Sequence, residues 1–242
     1  SSTSSVLYDF PDLSGDYGSA FTGEIAYGTG TEIEDLPGSI SRTTDKGTIY
    51  VEIKTDGNRK VIGGTGYFSP PVLVDGKQSE WTCVNPIPGE TVSMKVTNDL
   101  ENLYMIVEGN GLTEAEQFYF DSDNNEETGF TSWAVKGADY FLQSGALYKY
   151  IGDGTSWEWD IENSVTLDSS QFVVSADSSV IEISVPLADL GLEVNDVFGI
   201  GYVHDETSRI PETGNSLPSV KVSTFPPAST NAELKSLQVN PA

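Results

Sequence analysis

Between positions 121 and 129 the chain reads Asp121-Ser-Asp123-Asn-Asn125-Glu-Glu127-Thr-Gly129, with an oxygen-bearing side chain at every second residue. This alternation of Asp, Asp, Asn and Glu is the spacing with which a tight loop wraps oxygens around one hard divalent cation. Calcium is the ion expected, because it accepts six to eight oxygen ligands at flexible geometry. The run begins like an EF-hand loop, but Glu126 stands where that loop needs its turn glycine and Ser132 where it needs its last glutamate. A true EF-hand and its helices are therefore excluded. The competing reading is a solvated acidic turn in which Asn and Gly only supply turn geometry.

A second set of residues is aromatic: Trp81, Trp133, Trp157 and Trp159, with Tyr140, Tyr148 and Tyr150. Sugar rings present flat C–H faces, so a sugar binder needs an exposed aromatic plane flanked by hydrogen-bonding amides and carboxylates. Trp133, Trp157, Trp159 and Tyr140 are the candidates for such contacts. Trp133 follows the acidic loop closely, where an ion-stiffened loop could hold it rigid. Core packing is the competing reading, strongest for Trp81 and for one of the Trp157 and Trp159 pair. Catalysis finds little to stand on. His204 is the only histidine and is followed by Asp205 and Glu206, but no Gly-x-Ser-x-Gly elbow accompanies it, and a structural role at a strand end is expected. Met94 and Met105 lie in apolar strand runs and are expected in the core, not on a haem. Cys83, the single cysteine, has no partner for a disulfide and no metal-binding neighbour nearby in sequence.

The elements that must position these groups read as strands. Thr48-Ile-Tyr-Val-Glu-Ile-Lys54 and Val180-Ile-Glu-Ile-Ser-Val-Pro186 alternate most clearly, and about a dozen such runs are separated by Gly, Asn, Asp or Pro. The only helical signal is one turn at 187–190, stopped by Gly191. The prediction is an all-β fold, a jelly-roll-like sandwich of two antiparallel sheets. Residues 1–70 either add strands to that sandwich, the favoured reading, or form a small subdomain. Residues 71–224 are the sandwich itself, and 225–242 read as a Pro-rich linker and the first strand of a following module. The chain carries 12 Lys and Arg against 37 Asp and Glu, a formal charge of −25. Nucleic acid and anionic membranes are poor partners for it, since neither finds a cluster of cations. No apolar run approaches the roughly 20 residues of a membrane span. No basic and then apolar leader opens the sequence, so an exported form is expected to have lost its signal already.

From Val72 to about Asp205 the order of features resembles the family 9 carbohydrate-binding modules and the related DOMON-like sandwiches. The matching pieces are Val74-Asp-Gly-Lys-Gln-Ser-Glu-Trp81, the hairpin from Met94 to Val107, Phe120 to Phe130, Gly137-Ala-Asp-Tyr140, Leu147 to Gly152, Trp157-Glu-Trp159 and Ile181 to Gly191. The resemblance implies a structural calcium site in the acidic loop, with Asp139 beside it, so the expected ligands are Asp121, Asp123, Asn125, Glu127 and Asp139. It also implies a non-catalytic module that brings an extracellular or cell-surface protein to a polysaccharide. The alternative is a structural or adhesive subunit without a small ligand, whose terminal strands complete the sheets of neighbouring copies.

Overall fold

The computed structural model describes residues 72–223, except 79–80, 82–83 and 206–207, and outside that span the strands lying within 3–69 and 236–240. Cys83 and Glu206 fall outside the described residues. In chain order the first strands are β1 (Thr3–Asp9), β2 (Thr22–Thr29), β3 (Ser39–Thr44), β4 (Gly47–Thr55) and β5 (Val61–Ser69). Then follow β6 (Ile87–Pro88), β7 (Ser93–Asn98), β8 (Asn102–Glu108), β9 (Gln117–Asp121), β10 (Tyr140–Gln143), β11 (Ala146–Lys149) and β12 (Val165–Thr166). The series ends with β13 (Phe172–Val174), β14 (Val180–Pro186), β15 (Val197–Val203), β16 (Arg209–Ile210), β17 (Ser219–Lys221) and β18 (Ser236–Asn240).

The chain divides into two compact units, one of residues 1–71 with 227–242 and one of residues 72–226. The first contains a sheet ordered β18-β1-β2 and another ordered β3-β4-β5. Of the two readings of residues 1–70, the small subdomain agrees with this division and added sandwich strands do not, and the C-terminal strand falls in the same unit. Strands β1 to β5 pair among themselves and with β18, not with the sandwich, and β18 runs antiparallel to β1 from Asp9↔Ser236 to Ser5↔Asn240. The strand expected to open a following module thus pairs one of its edges within this chain. Local sequence could not reveal that pairing, because the two partners lie at opposite ends of the chain.

The second unit is the predicted two-sheet antiparallel sandwich. One sheet runs β12-β11-β10-β9-β15-β16, with β17 also on β15, and the other runs β13-β14-β8-β7-β6. Alternation along the strands explains the packing. In β8, Leu103, Met105 and Val107 point into the space between the sheets while Tyr104 and Ile106 point out of it. Ile181, Ile183 and Val185 of β14 do the same, opposite Phe118, Phe120, Phe198, Ile200 and Tyr202 of the facing sheet. Both methionines are fully buried there, as expected. Truncating a side chain such as Phe118 would cost about 3–5 kcal/mol. The helical signal is a single 3₁₀ turn, Leu187–Leu190, closed by Gly191 in the left-handed conformation.

Neither sheet leaves its outer face bare. Over the five-stranded sheet, Trp81 packs on Ile106 and Val180, and its Nε1 donates to Glu182 at 2.7 Å. The same buried carboxylate accepts from the backbone N–H groups of Asp75 and Gly76 at 2.8 and 2.9 Å. Glu182 therefore pins the segment that enters the sandwich. Over the other sheet lies a second apolar cluster built on Tyr119, Phe141 and Val203 and roofed by residues of the connecting loops.

Candidate functional site

The acidic loop begins where β9 ends. Asp121 is the last residue of that strand and lies opposite Gly199 of β15. A β-carbon on Gly199 would fall 3.1 Å from Asp121 Cβ and 3.0 Å from Leu217 Cβ, so the glycine leaves room for the acid. Asp139 immediately precedes β10, and its backbone N–H donates to Phe120 O at 2.7 Å. The register of two neighbouring strands thus sets Asp121 and Asp139 side by side, and the loop between them adds Asp123. One carboxylate oxygen from each of the three lies within 4.8 Å of the others.

Hydrogen bonds fix this arrangement without neutralising it. Asp139 Oδ2 accepts from Ser122 N and Ser122 Oγ, both at 2.9 Å, and from Asp123 N at 3.3 Å. Asp121 Oδ1 and Asp123 Oδ1 each accept from Asn125 N at 3.0 Å. Thr128 Oγ1 donates to Asp123 Oδ2 at 3.0 Å. Gly137 makes the close approach possible: its φ is +80°, and a β-carbon there would lie 2.9 Å from Glu126 Cα and 3.1 Å from Asp121 Oδ2.

Among the described residues no lysine or arginine forms an ion pair with any of the three acids. Lys136, on the same loop, is engaged by Glu126 at 2.8 Å and Glu127 at 3.8 Å. Burial pushes the Asp121 carboxyl up to about 6; the charges of Asp123 and Asp139 add to the rise, and the Asn125 N–H opposes it. Asp139 is raised as well, first by burial, against the hydrogen bonds from Ser122. Asp121 is buried, Asp139 half-buried and Asp123 exposed, and a hard divalent cation among them would offset their mutual repulsion.

Of the five expected ligands, the structure brings together Asp121, Asp123 and Asp139. Glu127 stays apart from them, its side chain exposed towards Lys136. Asn125 is held beside the cluster by its N–H, and its side-chain oxygen accepts from Glu127 N at 3.2 Å, which leaves that oxygen a second lone pair. Asn124, with φ of +52°, turns the chain between Asp123 and Asn125.

The aromatic candidates separate by face. Trp159 is 8% exposed, packed against Tyr119, Phe130, Phe141 and Tyr150 with ring centroids 6.4, 5.5, 5.2 and 5.0 Å away. Trp157 stands edge-on to Phe130, Phe141 and Trp159 at 5.2, 5.1 and 5.5 Å, yet remains 55% exposed. One of the pair is core and the other surface, as expected. Tyr140 lies on the opposite side of its sheet: it packs on the inter-sheet core with Leu142, whereas Phe141 points to the outer cluster. Tyr140 is thus separated from the tryptophans by the sheet itself. Trp133 is 60% exposed, makes no ring contact with Trp157 or Trp159, and has Arg209 Cζ 5.4 Å from its ring centroid.

The acidic cluster and the tryptophans are mechanically connected. Residues 122–138 form one excursion whose base is the pair Asp121 and Asp139 and whose far part carries Trp133. Phe130 and Ala138 exchange backbone hydrogen bonds at 2.7 and 3.0 Å, and Thr131 N donates to Gly154 O at 2.7 Å, in the turn before Trp157. An ion held by the three acids would close the base of this excursion.

No family model, no curated protein and no solved structure matches the chain. Among the described residues no helix is long and apolar enough to cross a membrane.

Proposed function

We propose that the sandwich is a non-catalytic carbohydrate-binding module of an extracellular multidomain protein, of the family 9 and DOMON-like kind that its residues resemble, stabilised by calcium. The observation that carries this reading is the convergence of Asp121, Asp123 and Asp139 at the base of the excursion that exposes Trp133 and braces the turn before Trp157. All three donors are hard oxygens, which suits calcium and disfavours softer metals. Bound there, the ion would hold Asp121 and Asp139 ionised and tie β9 to β10. Backbone carbonyls and water would complete its coordination.

Trp157 is the residue best suited to a sugar. Its neighbours Phe130, Phe141 and Trp159 hold the ring from behind, so little side-chain entropy is lost when a C–H face settles on it. Exposed carboxylates on the same segment, Asp153 and Glu158, are available to hydroxyl groups. Trp133 is a second platform, its ring already stacked by Arg209. The alternative, a subunit that donates terminal strands to neighbouring copies, draws less support, because β1 and β18 already pair with each other.

Isothermal titration of the protein with a panel of plant and microbial glycans, calcium present, tests the reading. The expected result is binding to at least one glycan, weakened at least tenfold by Trp157→Ala and reduced by chelation. No heat at millimolar sugar with calcium present would overturn it.

A further inference from the structure

The other end of β9 holds an arrangement that the sugar-binding surface does not use. Glu116, the residue before that strand, has a side chain with no exposure. Its carboxylate accepts from Tyr202 Oη at 2.8 Å and from Thr113 N and Oγ1 at 3.1 and 3.2 Å. His204 Nδ1 lies 2.9 and 2.8 Å from its two oxygens. An ionised carboxylate only accepts, so Nδ1–H is the donor and the ring is fixed in orientation, with Nε2 on its other side. Burying a carboxylate to hold a surface imidazole is a poor way to build a core, where an apolar side chain would do. It is how proteins pre-orient a histidine that meets a ligand.

That imidazole forms part of an open cavity of about 270 Å³. The hydroxyls of Thr91 and Ser208, 2.7 Å apart, and Asn110 line it as polar groups, and the buried side chains of Val92, Leu112 and Tyr202 close it from behind. The volume is near the low end for small-molecule pockets, enough for about one ring. An anion would face Glu116, Asp205 and a chain of formal charge −25. A metal ion would have only His204 Nε2 and Asp205 Oδ2, 4.0 Å apart, as strong donors. A small neutral molecule bearing several hydroxyls matches the lining better, since each hydroxyl can donate or accept and so pairs with Thr91, Ser208, Asn110 or the imidazole. We propose that this cavity is a small-molecule site for a neutral, ring-sized polyol, with His204 Nε2 hydrogen-bonded to one of its hydroxyls. It is independent of the tryptophan surface, from which it differs in every residue.

Because the chain has one histidine, the imidazole proton signals report this cavity alone. Single neutral monosaccharides and inositol are titrated into the full chain with calcium present, and the His204 signals are followed by NMR. The expected result is a saturable shift with at least one polyol, abolished by Ser208→Trp, which fills the rim from a half-buried position. Glu116→Gln is expected to weaken the same binding by about tenfold through loss of orientation. No shift with any polyol overturns the proposal, as does a shift that survives in Ser208→Trp or one produced only by added zinc. Glycan titrations report the tryptophan surface separately, so a polyol shift without polysaccharide binding would overturn the proposed function and leave this site standing.

Discussion

The two ends of β9 handle buried carboxylates in opposite ways. At one end Glu116 is surrounded by donors: a tyrosine hydroxyl, a histidine, a threonine hydroxyl and a backbone N–H. At the other, Asp121 is 3% exposed and faces two more acids, with backbone and hydroxyl donors but no cation from the described residues. The strand between them is only five residues long, and both acids sit against the same neighbour, β15. The difference teaches that burial alone does not mark a metal site. What would favour a cation is burial together with neighbouring like charge, and of the two ends only that of Asp121 combines them.

The largest expected effect is at the balanced end. Glu116→Ala strips four donors of their acceptor and leaves the Tyr202 hydroxyl buried and unpaired, at a cost of about 3 kcal/mol. Urea unfolding should show the same loss with calcium as with chelator. A loss that calcium repairs would mean that the two ends are not independent.

The opposite end should respond with opposite signs. In chelator, Asp121→Asn relieves repulsion and should leave the protein as stable as the parent or slightly more so. With calcium, the parent should gain about 1–3 kcal/mol by ligand linkage, a few degrees in melting temperature, and the variant should not. Calorimetry of both proteins in both conditions checks this. A variant less stable than the parent in chelator would break the argument that the acids are unbalanced.

The smallest effect is in the pH profile. Asp121 has its folded-state pKa raised to about 6 from 3.8, so the folded protein holds more protons than the unfolded chain between those values. Without metal, its contribution to stability is greatest at the acid side of that window and falls as pH rises through about 6. Calcium must displace the proton, so the calcium-induced rise in melting temperature should be small near pH 5 and full above pH 7. A calcium increment that does not depend on pH across this window would contradict the raised carboxyl.

The sandwich was legible from alternation, because its strands send every second residue into the space between the sheets. The acidic loop was legible from its spacing, but only in part. Asp121 and Asp123 behave as spaced, whereas Glu127 turns out towards Lys136, and the spacing alone does not say on which side of the left-handed turn at Asn124 a side chain will face. Asp139 came from resemblance, and the β9 to β10 register accounts for it. The parity of β10 could have placed Tyr140 opposite Phe141, yet only the fold shows that loops roof the Phe141 side. Glu116 was missed altogether. It is 88 positions from His204, and the pairing Val203↔Gln117 is what joins them.

The antiparallel contact of residues 5–9 with 236–240 also fixes a sequence of events during synthesis. At roughly 5–20 residues per second, the ribosome needs on the order of ten to fifty seconds to deliver residues 236–240 after residues 5–9. All of residues 72–226 emerge within that interval, so the sandwich can close its own core while β1 still waits for its partner. Until residues 236–240 arrive, β1 presents to solvent an edge that only a much later stretch of chain can cover.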